Sequence, residues 1–297
     1  MTSNPQTPPQ QLHLPVLLEA TLNVLAPKQG ETYLDLTAGY GGHARAITGR
    51  IGDTSQATLV DRDDFAIQHL QDLAEQGARI MHSDYASAVR VLASRGEQFD
   101  IILIDLGVSS PQLDNQERGF SFSHPGPLDM RMDRSQPQTA ADLINTSSEE
   151  YLAGIIRDYG EEPRARAVAR EIMQARPLHT TSELAEVVKK AYRGHWTRVH
   201  PATRTFQAIR IALNDELGQI ERTLPLLPKL LRPGGRVGII SFHSLEDRLV
   251  KRFFKEEAES GYEAELNLLT KHPISGATED VHNPRARSAK LRAAVKK

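Results

Sequence analysis

From Tyr33 onward the chain sets short apolar runs between amphipathic stretches, and each run closes on a polar or glycine-rich turn. Tyr33-Leu34-Asp35-Leu36 predicts a first strand, which delivers the chain into Thr37-Ala38-Gly39-Tyr40-Gly41-Gly42 and a helix beginning at Ala44. Ala57 to Val60 predicts a second strand ending at Asp61, followed by a helical pattern over Phe65 to Ala74. A third run, Ala78 to His82, ends at Ser83-Asp84-Tyr85, and a fourth, Phe99 to Ile104, ends at Asp105. Strands alternating with helices at this spacing predict an α/β fold with a parallel, doubly wound sheet.

Between Leu113 and Asn214 the alternation stops and no strand is predicted. Ser147 to Asp158, Pro163 to Ala175 and Ser182 to Tyr192 carry helical periodicity, the first and third opening on a serine suited to cap them. Leu217 to Leu231 is again helical, with Pro225 and Pro228 set to kink or interrupt it. Arg232-Pro233-Gly234-Gly235 then turns into a strand over Arg236 to Ile240. The economical account is one α/β domain built from residues 12–112 and 215–297, with an all-helical domain inserted over residues 113–214. Residues 1–11 are polar and Pro/Gln-rich, and read as a disordered lead-in.

Composition narrows the chemistry more than the fold. No apolar stretch approaches the roughly 20 residues needed to span a bilayer. The N-terminus shows neither the basic start nor the apolar run of a signal peptide, so a cytoplasmic location is expected. With 0 cysteines among 297 residues, disulfides and thiolate-bound zinc are excluded. So is methylation at carbon 5 of a pyrimidine by the usual route, in which a thiolate first attacks the ring. A methylated base here would have to offer an atom with its own lone pair, such as an exocyclic amine. The net charge of -2 gives no global nucleic-acid signal. Arg157 to Arg176, Lys189 to Arg210 and Pro284 to Lys297 are locally basic, and singly each reads as a solvated helix face.

In an open α/β sheet ligands bind beyond the carboxyl ends of the strands, so the residues closing the first four strands are the place to look. Gly39, Gly41 and Gly42 would let the backbone approach a ligand closely. Asp61, about 20 residues on, is placed to accept both ribose hydroxyls of an adenosine group. Alone the glycines could be a tight connection and Asp61 a helix cap; together they indicate a nucleoside site. Gly39-Tyr40-Gly41-Gly42-His43-Ala44 fits the dinucleotide pattern poorly. Asp35 before the turn would orient the loop backbone and attract a cationic methionine end, whereas a pyrophosphate disfavours negative charge. The expected cofactor is therefore S-adenosylmethionine.

The residues then resemble one family, the bacterial ribosomal-RNA cytosine-N4 methyltransferases (RsmH, formerly MraW), from about His13 to Arg292. The matching segments include His13 to Glu19, Gly41-Gly42-His43, Asp105 to Asp114, Arg118-Gly119-Phe120-Ser121-Phe122 and Gly126 to Met132. They continue through His200 to Ala208, Ser241 to Arg248 and Asn283 to Ser288. The resemblance implies a methyltransferase sheet carrying a helical insertion, and methylation of the exocyclic amine of one cytidine in the decoding region of small-subunit (16S) rRNA. It implies cofactor contacts at Gly41, Gly42, His43, Asp61, Tyr85, Asp105 and Gln112. The family often has Phe where this chain has Tyr85; either ring can pack on adenine.

Amino-methylating enzymes usually carry a short Asp/Asn/Ser-Pro-Pro-aromatic motif after the fourth strand. Asp105-Leu106-Gly107-Val108 occupies that slot without the Pro-Pro-aromatic part. Asp105 is thus expected to serve the cofactor's amino group, the substrate amine, or both. Ser109 and Ser110 are alternative acceptors, although capping a turn is the commoner fate of such hydroxyls. His243 is either an acceptor of the amine proton or a structural histidine. A flipped base would need stacking planes, for which Phe120, Phe122, Trp196, Phe206 and Phe242 are candidates. Arg131, Arg198, Arg204, Arg285 and Arg287 are candidate phosphate contacts. The expected partner is 16S rRNA or the small ribosomal subunit; no membrane partner is expected, and a homodimer is admitted. The competing readings are an amino-methyltransferase of DNA or protein, a regulatory RNA-binding protein using the cofactor as a ligand, and an NAD-dependent oxidoreductase.

Overall fold

A computed structural model describes residues 15–194 and 200–297. The lead-in expected over residues 1–11, and the candidates Trp196 and Arg198, lie outside the described residues. Strands β1 (Tyr33–Asp35), β2 (Ala57–Asp61), β3 (Arg79–His82), β4 (Phe99–Asp105), β5 (Leu231–Ser241), β6 (Leu266–Leu268), β7 (Ile274–Ser275) and β8 (Lys290–Lys296) form one sheet. Its order is β3-β2-β1-β4-β5-β8-β6, with β7 pairing off that path to β8. The first five strands run parallel, and β8 lies antiparallel between β5 and β6.

The inner strands are apolar on both faces because both are covered. Leu34, Ile102, Ile104, Val237 and Ile239 pack against the helices Tyr85–Ser94, Glu216–Thr223 and Ser244–Glu259. Tyr33, Leu59, Ile101, Leu103 and Ile240, one residue out of phase, face the helices Leu18–Leu25 and Gly42–Ile51. Between β4 and β5 the helices Ala140–Thr146, Glu149–Asp158, Ala165–Ala175, Thr181–Ala191 and Ala202–Asn214 gather around a core of their own, in which Met130, Leu152, Ile172 and Ile209 are fully buried. No described helix is long and apolar enough to cross a membrane.

The four expected N-terminal strands are present within a residue of their anticipated ends. Pro225 and Pro228 break the expected helix into Glu216–Thr223, a tight turn Leu224–Leu226, and Leu227–Leu230. The serine caps shift by one and two residues. Ser148 Oγ accepts the Tyr151 N–H, and Thr180 exchanges bonds with Glu183 in a reciprocal capping box that leaves Ser182 inside the helix. Strand β5 begins earlier than expected: Leu231 already pairs with Phe99 before the Pro233-Gly234 irregularity, and the ladder resumes at Arg236.

The larger correction is β8. Its basic sequence reads as a solvated face, yet it lies inside the sheet. Leu291, Ala293 and Ala294 are fully buried, and the charge of Arg292 is met by Asp247 at 2.7 Å. An ion pair on the neighbouring helix lets a basic residue occupy an interior strand.

Candidate active site

A cavity of about 590 Å³ opens where the C-terminal ends of β1, β2, β4 and β5 meet the helix Ala202–Asn214. On one side stands the glycine turn. Gly39 and Gly41 have φ of 53° and 79°, so the turn uses the left-handed conformation that glycine tolerates. Asp61 fixes it: Oδ2 accepts the Gly39 N–H at 2.7 Å and Oδ1 accepts the Asp63 N–H at 2.8 Å. Both oxygens keep a lone pair directed elsewhere, and Asp61 lines the cavity.

Of the two roles expected of Asp35, only the orienting of the turn is seen. It is 1% exposed, lies outside the cavity wall, and accepts bonds from Tyr33 Oη at 2.6 Å and Thr37 N at 3.1 Å. Burial pushes its carboxyl up to about 7, against the lowering effect of those two bonds. It shapes the turn from beneath and does not face a ligand.

At the centre of the wall Asp105 and His43 face each other, Oδ2 to Nε2, at 3.7 Å. Burial holds the His43 imidazole down to about 4, so at neutral pH the pair is not ionic. Burial also raises the Asp105 carboxyl well above the usual carboxylate range, and the neighbouring Asp35 and Glu246 add to the effect. Asp105 Oδ1 and both His43 nitrogens are buried without a well-aligned hydrogen bond among the described residues, and the Val16 backbone is the polar group that favours the charged imidazole. Such atoms in native proteins almost always have partners.

The far wall belongs to β5 and its neighbours. His243 caps the helix Ser244–Glu259, its Nδ1 accepting the Glu246 N–H at 3.4 Å, while Glu246 Oε2 accepts the N–H groups of Phe242 and His243 at 2.7 and 3.2 Å. His243 Nε2 stands 3.2 Å from Glu246 Oε1. Glu246 thus faces both ring nitrogens, hydrogen-bonded at Nδ1 and only near at Nε2, which favours the structural of the two roles read for His243. The Glu246 carboxyl is held below its usual range, against its burial, by His243 and Arg210. Arg210 itself grips Glu216 through two bonds of 2.8 and 2.9 Å. Glu216, His243 and Glu246 have ligand atoms within 4.8 Å of one another. A cation there would meet Arg210 and two helix N-termini, so the group is a buried charge network and not a metal cage.

Gly42, His43, Asp61, Tyr85, Asp105, Ser109, Gln112, His243 and Arg285 all line this one cavity; Gly41 caps the helix Gly42–Ile51 behind it. Tyr85 Oη donates to the Glu216 carbonyl at 3.3 Å. Ser109 and Gln112 form a capping box, Gln112 N–H to Ser109 Oγ and Ser109 N–H to Gln112 Oε1, so the hydroxyl expected as a substrate acceptor is engaged by its own helix. The Gln112 amide also donates to Asp63 at 2.6 Å, which leaves it one N–H for a ligand.

The arginines divide. Arg131 is committed to both Asp129 oxygens and to the carbonyls of Arg134 and Gln136, so it is a structural tie and not a phosphate contact. Arg204 is half-exposed, 3.7 Å from Glu162. Arg285 meets Asp114 at 2.5 Å and keeps Nη1 buried in the cavity wall without a hydrogen bond among the described residues, and Arg287 is exposed. Sequence reasoning gave no role to Asp63, Arg118, Arg210, Glu216 or Glu246. The spacing His243-Ser244-Leu245-Glu246 carries a capping-box signal, although serine or threonine is its usual first member.

A parallel sheet with one antiparallel strand set before its far edge, and a nucleoside-sized cavity walled by carboxylates, define a Rossmann-like methyltransferase that uses S-adenosylmethionine. The chain belongs to the MraW methylase family, whose model matches residues 10–297. Among its relatives, "Ribosomal RNA small subunit methyltransferase H" of Synechocystis sp. is 48% identical over 96% of this chain and 93% of its own. The protein of that name from Deinococcus radiodurans is 46% identical over 98% and 92%. A solved rRNA methylase from Streptococcus thermophilus overlays with a TM-score of 0.43 at 8% identity over 94% of each chain, a level too low to bear on substrate.

Proposed function

We propose that this protein transfers the methyl group of S-adenosylmethionine to the exocyclic N4 amine of a cytidine in the decoding region of 16S rRNA. The relatives' names speak for small-subunit rRNA. The observation that carries the site assignment is the gathering in one cavity of buried atoms without a hydrogen bond among the described residues: both His43 nitrogens, Asp105 Oδ1, Arg285 Nη1, His243 Nε2 and Glu246 Oε1. A ligand rich in donors and acceptors would complete them.

In this reading Asp61 accepts the ribose hydroxyls and the Tyr85 ring packs on adenine. The cofactor supplies an electrophilic methyl on a cationic sulfonium. Asp105, at the end of β4, is the acceptor for an N–H of the cofactor's amino group or of the cytosine amine. A cation beside Asp105 would draw its carboxyl back toward the ionised form. The cytosine amine is a poor nucleophile, so alignment supplies much of the rate, and an accepting oxygen stabilises the charge that develops on nitrogen.

The base must leave its stack to reach the methyl group. Phe120, Phe122, Phe206 and Phe242 line the cavity and would receive it. Residues 113–214 serve as the substrate-recognition unit, with Arg204, Arg285 and Arg287 on phosphates. The deciding experiment incubates the protein and labelled cofactor with small subunits lacking the modification, then analyses nucleosides. Label on the cytosine amine is expected. Label on another atom, or on DNA or protein alone, overturns the substrate assignment.

A further inference from the structure

A buried ion pair runs back from the cavity wall, with Asp63 lining the cavity and Arg118 behind it. Asp63 and Arg118 are 2% and 3% exposed, and Nη1 donates to Oδ2 at 2.8 Å. A buried ion pair adds little stability over well-packed apolar side chains, so its presence needs another account. What it joins supplies one.

On the cofactor side Asp63 follows β2 directly. Its N–H donates to Asp61, whose other oxygen holds the Gly39 N–H, and its Oδ1 caps the next helix through the Phe65 N–H at 3.1 Å. On the other side Asp63 Oδ2 also accepts the Gln112 amide at 2.6 Å, fixing the capping box after β4. Arg118 carries the tie further. Its Nη2 donates to the carbonyls of Arg131 and Met132 at 3.0 and 3.2 Å, and its own carbonyl accepts the Met130 N–H at 3.0 Å. Met130 is held at φ 56°, a conformation that side-chained residues rarely adopt. Asn214, at the end of the helix Ala202–Asn214, accepts the Met132 N–H and donates to the Met130 carbonyl, closing the chain of bonds.

We propose that Asp63 and Arg118 are positioning residues that couple the cofactor turn to the substrate-side segment Leu106–Met132, so that cofactor and RNA each bind more tightly when the other is present. The inference rests on the function proposed above. The fork of Arg118 suits the task, since it holds a carboxylate and two backbone carbonyls in one plane, which a lysine cannot. The guanidinium also lies over the rings of Phe65 and Phe120, at 5.7 and 5.8 Å from their centroids, a cation–π contact with each.

The test measures binding of unmodified small subunits with and without saturating S-adenosylhomocysteine, for the full-length protein and for Arg118→Lys and Asp63→Asn. The wild type should bind subunits about tenfold more tightly with the cofactor product present, and the reciprocal effect should match. Arg118→Lys should keep its separate affinity for S-adenosylhomocysteine within about threefold while the coupling falls toward unity. Coupling intact in a folded Arg118→Lys or Asp63→Asn, or absent from the wild type, overturns the proposal. Hydrogen exchange on the wild type needs no variant: amides of residues 106–132 should slow when S-adenosylhomocysteine binds, and unchanged rates count equally against it. A wild type that methylates subunits but lacks coupling refutes only this inference; one that fails to methylate them refutes the functional reading with it.

Discussion

Glu246 meets His243 at both ring nitrogens, its N–H donating to Nδ1 and its Oε1 facing Nε2 at 3.2 Å. With Nδ1 accepting the Glu246 N–H and Nε2 facing the Glu246 carboxylate, the ring is engaged by its own helix rather than by a substrate proton. His243→Asn should therefore cost less than about tenfold in kcat, because asparagine is itself a good helix cap. A general base would cost roughly 10² to 10⁴ on removal. Single-turnover rates across the pH range in which imidazole titrates decide between them.

Asp35 takes up its proton more readily folded than unfolded, since burial lifts it from 3.8 to about 7. Its contribution to stability is complete below the unfolded value and is lost as pH rises through about 7. Asp35→Asn should be less sensitive to alkali, the melting temperature of the variant gaining on the wild type between pH 5 and pH 8. A constant difference between the two melting curves over that interval would show that Asp35 does not titrate there.

Gly41, which caps the helix Gly42–Ile51, and Gly49 within it should respond in opposite senses to alanine. Gly41 sits at φ 79°, and an added Cβ would strike the Arg45 guanidinium that holds the Tyr40 carbonyl. Gly41→Ala should cost about 1–2 kcal/mol from the left-handed backbone alone and weaken binding of S-adenosylhomocysteine. Gly49 has open space around its Cβ position, so Gly49→Ala should stabilise by about 0.5–1 kcal/mol with cofactor binding unchanged. Thermal melts with a cofactor titration check both.

Arg204→Ala and Arg287→Ala should weaken RNA binding without altering cofactor affinity. Each should reduce the slope of log K against log salt by about 1. Arg131→Ala should act differently, lowering stability through the lost Asp129 pair while leaving that slope alone.

What the sequence made legible was the part of the fold written in period and punctuation. β1 to β4 end on Asp35, Asp61, His82 and Asp105, and each end is visible as an apolar run closing on a polar residue. The turn at Gly39–Gly42 and the carboxylate of Asp61 were readable for the same reason, because local backbone geometry demands those residue types. The failures share a different cause. Arg292, Arg118 and Arg131 look alike in a sequence, and their partners Asp247, Asp63 and Asp129 differ in how far away along the chain they lie. Whether a charge is solvated or buried depends on that pairing, which periodicity does not encode. For His243 the sequence left two roles open, since the choice between them follows from where two nitrogens point.

The position of β8 has a consequence for how the molecule comes into being. The strand that fills the gap between β5 and β6 is spelled by residues 290–296, and Pro284, Arg285 and Ser288, just before it, help wall the cavity. During synthesis every other described element is made before it. A nascent chain paused short of Lys290 holds an open β5 edge and an unfinished cavity. Only a chain translated through β8 can close the sheet between β5 and β6, so a product cut short of Lys290 would be born with an open edge and prone to capture by other unpaired strands.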